Sequence, residues 1–134
     1  MPVIRRLVAE AHINPTGLNW KRFIVTVTKE DVVIGCGQVK PHKDGSWEMA
    51  SVAVTPSWRR KGVARTIINH ILAAHDENLY LMCRSDLGEM YEKFGFRVLD
   101  EHEMPTYFRR VSKIVDLIEL LRKEGLSLLV MGNR

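Results

Sequence analysis

The segment VAVTPSWRRKGVAR, residues 52–65, contains the change of pattern that decides the fold. It begins as the end of an apolar strand, and Thr55-Pro56 stops that strand because proline cannot donate to a sheet ladder. After Gly62 the apolar residues recur at helical spacing. The segment therefore predicts a strand, a turn and a helix in direct succession.

The turn before this helix has the composition of a phosphate-binding site. The N-terminus of a helix presents unpaired backbone N–H groups and a partial positive charge. Gly62 and Ala64 let a ligand approach that backbone closely, because neither carries a bulky side chain. Four cations surround the turn: Arg59, Arg60, Lys61 and Arg65. We interpret the turn as a site for a pyrophosphate; the alternative is a helix start that uses glycine only for its turn.

Hydrophobic patterning on either side of this segment predicts a mixed α/β domain built on a central sheet. Strands are predicted at residues 22–28, 32–40, 47–54, 79–84, 96–100 and 126–131. Helices are predicted at residues 4–11, from residue 63 onward, and at residues 87–94, where Gly95 ends the helix. A further helix is predicted from an apolar face at helical spacing, formed by Ile114, Leu117, Ile118 and Leu121. We expect that last face to pack on the domain's own sheet, and a coiled-coil partner helix is the alternative. The length favours a single domain over residues 1–134.

The composition indicates an ordinary globular protein. Hydrophobic residues make up 46% of the chain and charged residues 27%, and the net charge of +4 suits an anionic ligand but is too small to argue for nucleic acid. Cys36 and Cys83 lie in predicted strands without a CxxC pair, so we interpret them as buried hydrophobes in a reducing compartment. Neither a signal peptide nor a membrane-spanning stretch is evident, and we expect a cytoplasmic location.

Two motifs make the chain resemble the Gcn5-related N-acetyltransferase (GNAT) superfamily. The first motif is Arg or Gln, two residues, Gly, one residue, and Gly or Ala; here it is Arg59, Gly62 and Ala64, after a strand that ends in Val54-Thr55-Pro56. The second motif is a Tyr before a Gly-Phe pair, which here is Tyr91-Glu92-Lys93-Phe94-Gly95-Phe96. The order of strands and helices agrees with the family over residues 21–100.

The resemblance implies a GNAT-like acyl-CoA N-acyltransferase fold, a ligand and a placement for that ligand. Acetyl-CoA would lie in a splay between the parallel strands at residues 47–54 and 79–84. Its pantetheine amides would pair with the backbone of Val52, Ala53 and Val54, as an added strand would. Its pyrophosphate would lie on the backbone of residues 60–65, which includes Val63.

The chain also departs from the family in three places. Arg84 and Leu87 stand where many relatives have Asn and Ala, so contacts to the ligand from that stretch are in question. The usual first strand is missing before the predicted first helix; either the strand is lost, or a partner covers the sheet edge, or the start assigned to the chain is late. A helical insertion, residues 104–125, precedes the last strand.

Two side chains are candidates for acid–base catalysis. Acetyl transfer to an amine needs a neutral amine, a polarised thioester carbonyl and a protonated leaving thiolate. Glu48 is an acid inside an apolar strand, at the position where several GNAT relatives place their base; the alternative is a side chain that points to solvent. Tyr91, in the second family motif, is the candidate acid for the thiolate, and its alternative is a ring packed in the core.

Other polar residues are weaker candidates. His42 lies between Lys40 and Lys43, where a solvated loop is the preferred interpretation over a substrate contact. His70 and His75 do not share a helix face well and have no evident third ligand, so no metal site is predicted. Cys83 as an acyl acceptor is disfavoured by its apolar strand. Trp20 could shape an acceptor pocket, although core packing is preferred.

These features predict an N-acetyltransferase that moves an acetyl group from acetyl-CoA to a primary amine by direct attack. A non-catalytic acyl-CoA-binding sensor or regulatory subunit is one alternative, and a nucleic-acid-modifying acetyltransferase is a second. The absence of basic stripes interleaved with aromatic residues argues against nucleic acid. The acceptor, a small-molecule or peptide amine, is not specified by the sequence. No membrane partner is expected, and a homodimer is left open.

Overall fold

The computed structural model describes residues 22–119 and 127–133, with the backbone alone for residues 116–119. The strands are β1 (Phe23–Val27), β2 (Val33–Pro41), β3 (Trp47–Val54), β4 (Leu79–Arg84), β5 (Arg97–Val98) and β6 (Leu128–Gly132). The helices are α1 (Val63–Ala74), α2 (Gly88–Glu92) and α3 (Thr106–Glu119). Short 3-10 turns lie at Pro56–Trp58, Ser85–Leu87 and Glu101–Glu103.

The six strands are hydrogen-bonded in the order β1-β2-β3-β4-β6-β5. β1 runs antiparallel to β2, and β6 runs antiparallel to both β4 and β5. β3 and β4 are parallel and pair through Trp47 with Leu79 and Glu48 with Tyr80. A mixed sheet with helices is therefore present, which confirms the predicted α/β class.

The chain forms two compact units. The described residues of the first unit are 22–40 and 49–76. In it, α1 packs closely on β2 because two β2 residues are glycines: a Cβ on Gly35 would lie 2.8 Å from Val63 Cγ1, and one on Gly37 would lie 2.8 Å from Ile67 Cγ2. The apolar face of α1, from Val63 to Ile71, is thereby buried, which sets the position of the turn before it.

The described residues of the second unit are 41–48, 77–119 and 127–133. Its core is built around Phe108 on α3, which is fully buried with Leu99 and Val130. Tyr80 and Tyr107 pack against this cluster from β4 and α3. The N-terminal turn of α3 is therefore fixed in the second unit by apolar packing.

Most of the predicted elements are confirmed, and three need comment. The helix predicted at residues 87–94 is shorter, because the 3-10 turn Ser85–Leu87 precedes a five-residue α2. The strand predicted at residues 96–100 is only Arg97–Val98, because Asp100 and Glu103 form a capping box that starts a new turn. α3 does precede the last strand as a helical insertion, but Ile114, which was expected to be buried, is 59% exposed.

Several predictions fall outside the described residues. These are the helix at residues 4–11, the missing first strand, Trp20, and the side chains of Leu117, Ile118 and Leu121. The assignment of the whole chain to one domain stays a prediction. Within the described ranges, no helix combines the length and the apolar character needed to cross a membrane.

Candidate active site

The predicted phosphate turn has the backbone of a helix N-terminus. Gly62 is the residue before the first turn of α1 and has φ +84°, in the left-handed region that favours glycine. A Cβ at Gly62 would have no atom within 4 Å, so one side of the turn is open. Thr66 closes the first turn, since its N–H and its Oγ1 both donate to the Gly62 carbonyl at 3.0 Å. By helix geometry, the N–H groups before it have no intrahelical acceptor.

The cations of this turn lie at the surface of the first unit. The side chains of Arg59, Arg60, Lys61 and Arg65 are all exposed. Arg59 Nε donates to the Val54 carbonyl at the end of β3, over 3.1 Å, and Lys61 Nζ lies 5.3 Å from the centre of the Trp58 ring. Val63 is buried and Ala64 half-buried. The exposed cations and the open backbone together can hold an anion with several oxygens.

The strand that leads to this turn carries a distortion that the sequence did not reveal. Ser51, in the middle of β3, has φ +57°, a conformation that is uncommon for a residue other than glycine. Two neighbours on β2 hold it: Cys36 Sγ donates to its carbonyl and Gln38 Nε2 donates to its hydroxyl over 2.9 Å. Of the predicted pantetheine-binding residues that follow, Ala53 is buried, and Val52 and Val54 are half-buried.

Glu48 lies in the second unit and is buried, with 5% of its surface exposed. The alternative, in which this side chain points to solvent, is therefore wrong. His42 Nε2 lies 2.8 Å from Glu48 Oε1. The interpretation of His42 as a solvated loop residue is wrong as well, since only 13% of its side chain is exposed. A carboxylate and an imidazole thus form a buried pair.

The surroundings of His42 come from the turn at residues 42–46 and from α3. The Tyr107 ring stacks on the imidazole, with centroids 3.6 Å apart and planes 16° apart, and Phe108 contacts it edge-on. Asp44 accepts the backbone N–H of Tyr107 over 2.9 Å and also bonds Ser46. Although desolvation opposes it, these hydrogen bonds hold the pKa of the Asp44 carboxyl below its ordinary value. Burial and the Glu48 charge raise the pKa of Tyr107.

Tyr91 is half-buried on α2, in edge contact with the Phe96 ring. Burial, followed by the Cys83 charge, raises the pKa of Tyr91 to about 12. Its hydroxyl therefore stays protonated at neutral pH and can donate a hydrogen bond. Gly95 ends the motif with φ +94°. Among the hydrogen bonds of the described residues, none joins Tyr91 to Glu48.

The cysteines are confirmed as buried thiols without a disulfide. Desolvation by burial raises the pKa of Cys36 and of Cys83 to about 11. Neither thiol is therefore suited to act as a nucleophile at neutral pH.

One group of described residues has ligand-type atoms close enough for a metal ion: Asp100, His102 and Glu103, within 4.8 Å of one another. All three belong to an exposed turn whose carboxylates are already used. Asp100 and Glu103 form the capping box, and Glu103 also pairs with Arg97 over 2.6 Å. The cluster is therefore explained by the local structure.

The fold and the turn define the class of protein: a mixed α/β protein in which an exposed cationic turn joins a strand to a helix. The family model of the acetyltransferase (GNAT) domain matches residues 19–98, which is more than half of the chain. The chain belongs to the GNAT superfamily. A search of curated proteins found no match to the chain.

Solved structures share the fold at low sequence identity. N-acetylglutamate synthase from Neisseria gonorrhoeae, complexed with coenzyme A and N-acetyl-glutamate, has a TM-score of 0.69 at 19% identity and covers 100% of this chain. Rv2747 from Mycobacterium tuberculosis, in complex with coenzyme A, has a TM-score of 0.68 at 18% identity; the match covers 96% of this chain and 91% of that one. ElaA from Escherichia coli has a TM-score of 0.67 at 14% identity and coverages of 99% and 88%.

The chain spans only part of the synthase. The match covers 33% of the synthase chain, and it covers 30% in a second structure, complexed with coenzyme A and L-arginine. At these identities the likeness concerns the fold alone.

Proposed function

We propose that the chain is an N-acetyltransferase that uses acetyl-CoA to acetylate a primary amine. The observation that carries the proposal is the exposed cationic turn at the start of α1, with Gly62 in a left-handed conformation and open space beside it. Membership of the GNAT superfamily supports the donor, and two structural neighbours are complexed with coenzyme A.

The residues of the first unit are assigned to the donor. The backbone N–H groups of residues 60–65 would bind the pyrophosphate, and Arg59 to Lys61 with Arg65 would balance its charge. The backbone of Val52 to Val54 would pair with the pantetheine amides, as in strand addition. These residues fit a pyrophosphate, because unpaired backbone N–H groups and four cations are suitable donors to phosphate oxygens.

The residues of the second unit are assigned to proton transfer. Acetyl-CoA, when bound, supplies the acetyl group as a thioester, and coenzyme A is released as the thiol. Glu48 takes one proton from the acceptor's nitrogen, so that the nitrogen lone pair is free to form the new C–N bond as the C–S bond breaks. Tyr91 gives its hydroxyl proton to the departing sulfur, so that coenzyme A leaves as the thiol, and the proton taken by Glu48 returns through solvent to the Tyr91 oxygen. With a pKa raised to about 12, this phenol remains protonated in the resting enzyme and so holds the proton that the sulfur receives.

Further parts of the proposal concern the acceptor and the cellular setting. The acceptor is a small-molecule or peptide amine, bound together with the donor because no nucleophilic side chain is assigned. No metal takes part in the proposed reaction. A cytoplasmic location completes the proposal, without membrane or nucleic-acid partners, and a homodimer is compatible with it.

The experiment is the release of coenzyme A, followed with a thiol reagent, over a panel of polyamines, amino acids, peptides with free N-termini and lysine peptides. At least one class should give release well above the hydrolysis rate measured without amine, and mass spectrometry should find the acceptor heavier by one acetyl group. Calorimetry with coenzyme A is run in parallel. Binding without release over the whole panel would contradict catalysis and favour a sensor, whereas no binding would contradict the donor assignment.

A further inference from the structure

The Glu48 carboxylate has a built partner that the acetyl-transfer assignment does not use. His42 lies six positions before it along the chain, and its Nε2 is 2.8 Å from Glu48 Oε1. A buried carboxylate is costly unless a donor holds it, and an imidazole N–H is such a donor. In the neutral ring this contact places the proton on Nε2, so that Nδ1 carries the lone pair.

The position of the imidazole is set by α3. Tyr107 stacks on one face of the ring, and Phe108, which is fully buried, contacts it edge-on. Asp44 ties the turn to α3 by accepting the Tyr107 N–H, and the His42 N–H donates to the Ser46 carbonyl. The ring is thus held by stacking, by an edge contact and by the backbone of its own turn.

The charged and titratable groups that face His42 come from each element packed against it. Glu48 on β3 and Asp44 in the turn carry negative charge, and Tyr107 on α3 is neutral at ordinary pH. The pair can exist in two states: a neutral imidazole beside the carboxylate, and an imidazolium beside the carboxylate.

We propose that His42 is a positioning residue for the base Glu48. The Nε2–H of His42 holds one carboxylate oxygen of Glu48 and leaves the other oxygen for the acceptor amine. Protonation of the His42 ring switches the base off. This inference rests on the proposed function for its catalytic part. In the switching step, Nδ1 takes one proton from solvent, and no bond between heavy atoms changes. The imidazolium then stabilises the carboxylate anion and reduces its tendency to accept the proton of the amine.

The first test concerns the pair itself and needs no activity. Nitrogen NMR of histidine side chains distinguishes the two neutral tautomers, and loss of one signal in His42→Gln assigns the ring. We expect the Nε2–H tautomer in the wild type and its loss in Glu48→Ala, which lacks the acceptor. If the alanine variant fails to fold, Glu48→Gln is measured instead. Its amide keeps an acceptor oxygen, so the Nε2–H tautomer should be retained. A wild-type ring protonated on Nδ1 would overturn the proposal.

The second test separates positioning from packing. His42→Phe keeps a flat ring on Tyr107 but has no donor, and His42→Gln keeps an N–H donor but does not titrate. With saturating acetyl-CoA we expect kcat to fall by roughly 10- to 100-fold in His42→Phe, less than the roughly 10²- to 10⁴-fold contribution of a general base, because the base itself remains. In His42→Gln, most of kcat should remain near pH 8, and the loss of rate toward acid pH should become shallower. KM for acetyl-CoA should not change in either variant.

The outcomes distinguish this inference from the proposed function. A wild type that releases no coenzyme A contradicts the proposed function, and the NMR test then still decides whether the pair exists. A wild type that releases coenzyme A, with a folded His42→Phe variant of equal kcat, contradicts the positioning role alone. An acid limb of the same slope in wild type and His42→Gln would overturn the switch.

Discussion

The turn at residues 59–65 and the pair formed by Glu48 and His42 are both assigned to one reaction, yet they are built in opposite ways. The turn consists of consecutive residues, its charges are exposed, and its binding groups are largely backbone N–H groups. The pair is buried and depends on α3, more than fifty positions further along the chain, for the stacking of Tyr107. Backbone chemistry is thus specified locally, whereas the environment of a catalytic side chain is specified by tertiary packing.

This difference predicts that mutations in the turn and mutations in the pair change different measurable quantities. Changes in the turn should alter the affinity for the donor, since the turn is assigned to the pyrophosphate. Changes in the pair should alter the rate of the bound complex, since the pair is assigned to proton transfer. A variant that alters both quantities equally would break the comparison.

The largest effect is expected from Glu48→Gln. We expect kcat to fall by about 10²- to 10³-fold and the rise of rate with pH to flatten, because the amide cannot accept the proton of the amine. The Kd for acetyl-CoA should stay the same. The matched control is Glu89→Gln, which removes an exposed carboxylate on α2 and should leave kcat unchanged. An unchanged pH profile in Glu48→Gln would contradict the assignment of the base.

A large effect on stability is expected from Gly35→Ala, beneath α1. The new Cβ would lie 2.8 Å from Val63 Cγ1 and 3.0 Å from Ile67 Cδ1, and both are branched side chains fixed in the core. We expect the free energy of unfolding to fall by about 1–3 kcal/mol, measured by urea denaturation. Gly88→Ala is the matched control, because its Cβ would meet only the flexible end of Leu129. Equal losses in the two variants would contradict this packing account.

The turn itself is tested by Gly62→Val. Gly62 has φ +84°, and a β-branched residue there is strained and also fills the space open to a ligand. We expect Kd for coenzyme A to rise by roughly tenfold, about 1.4 kcal/mol, in calorimetry. Gly95→Ala, at φ +94°, serves as the control for strain alone, since it should lower the melting temperature without changing this Kd. Equal Kd values in wild type and Gly62→Val would argue against a pyrophosphate at this turn.

The same contrast explains how much of the fold was predictable. β3 and β4 were predicted at their observed bounds, because largely apolar runs that end at Pro56 or at a polar turn are local signals. The strand predicted at residues 96–100 is confirmed only at Arg97–Val98, because the capping box at Asp100 redirects the backbone. Phe96 and Leu99 are buried but lie outside this strand. Burial of apolar residues indicates the core but not the secondary structure that delivers them.

The candidate site was predictable to the same extent. The helix start after Gly62 was predictable because a small residue followed by apolar residues at helical spacing is a local signal, and phosphate binding there stays a prediction. His42 was assigned to a solvated loop because its neighbours in sequence are lysines, and no sequence pattern relates it to Tyr107. Ser51 gave no signal either, since its positive φ depends on Gln38 and Cys36 across the sheet. One hint for His42 was available: an imidazole six positions before a buried acid, across a short turn.

The smallest effect is expected from the exposed ion pair of Arg97 and Glu103, which lies in the same unit as the buried pair of His42 and Glu48. Arg97 and Glu103 lie 2.6 Å apart, and the hydrogen bond from Arg97, aided by the Asp100 N–H, lowers the pKa of Glu103 from 4.5 to about 2. Because the folded-state pKa is depressed, the stabilisation is present above pH 4.5 and disappears as the pH falls toward 2. Arg97→Gln should therefore lower the melting temperature slightly at pH 6, and by less as the pH approaches 2.

Since exposed pairs are screened, roughly 0.5 M salt should remove most of the difference. The loss of the imidazole N–H in His42→Phe should by contrast resist salt, because that pair is buried. If the effect of Arg97→Gln on the melting temperature did not depend on salt, solvent exposure would not explain the difference between the two pairs.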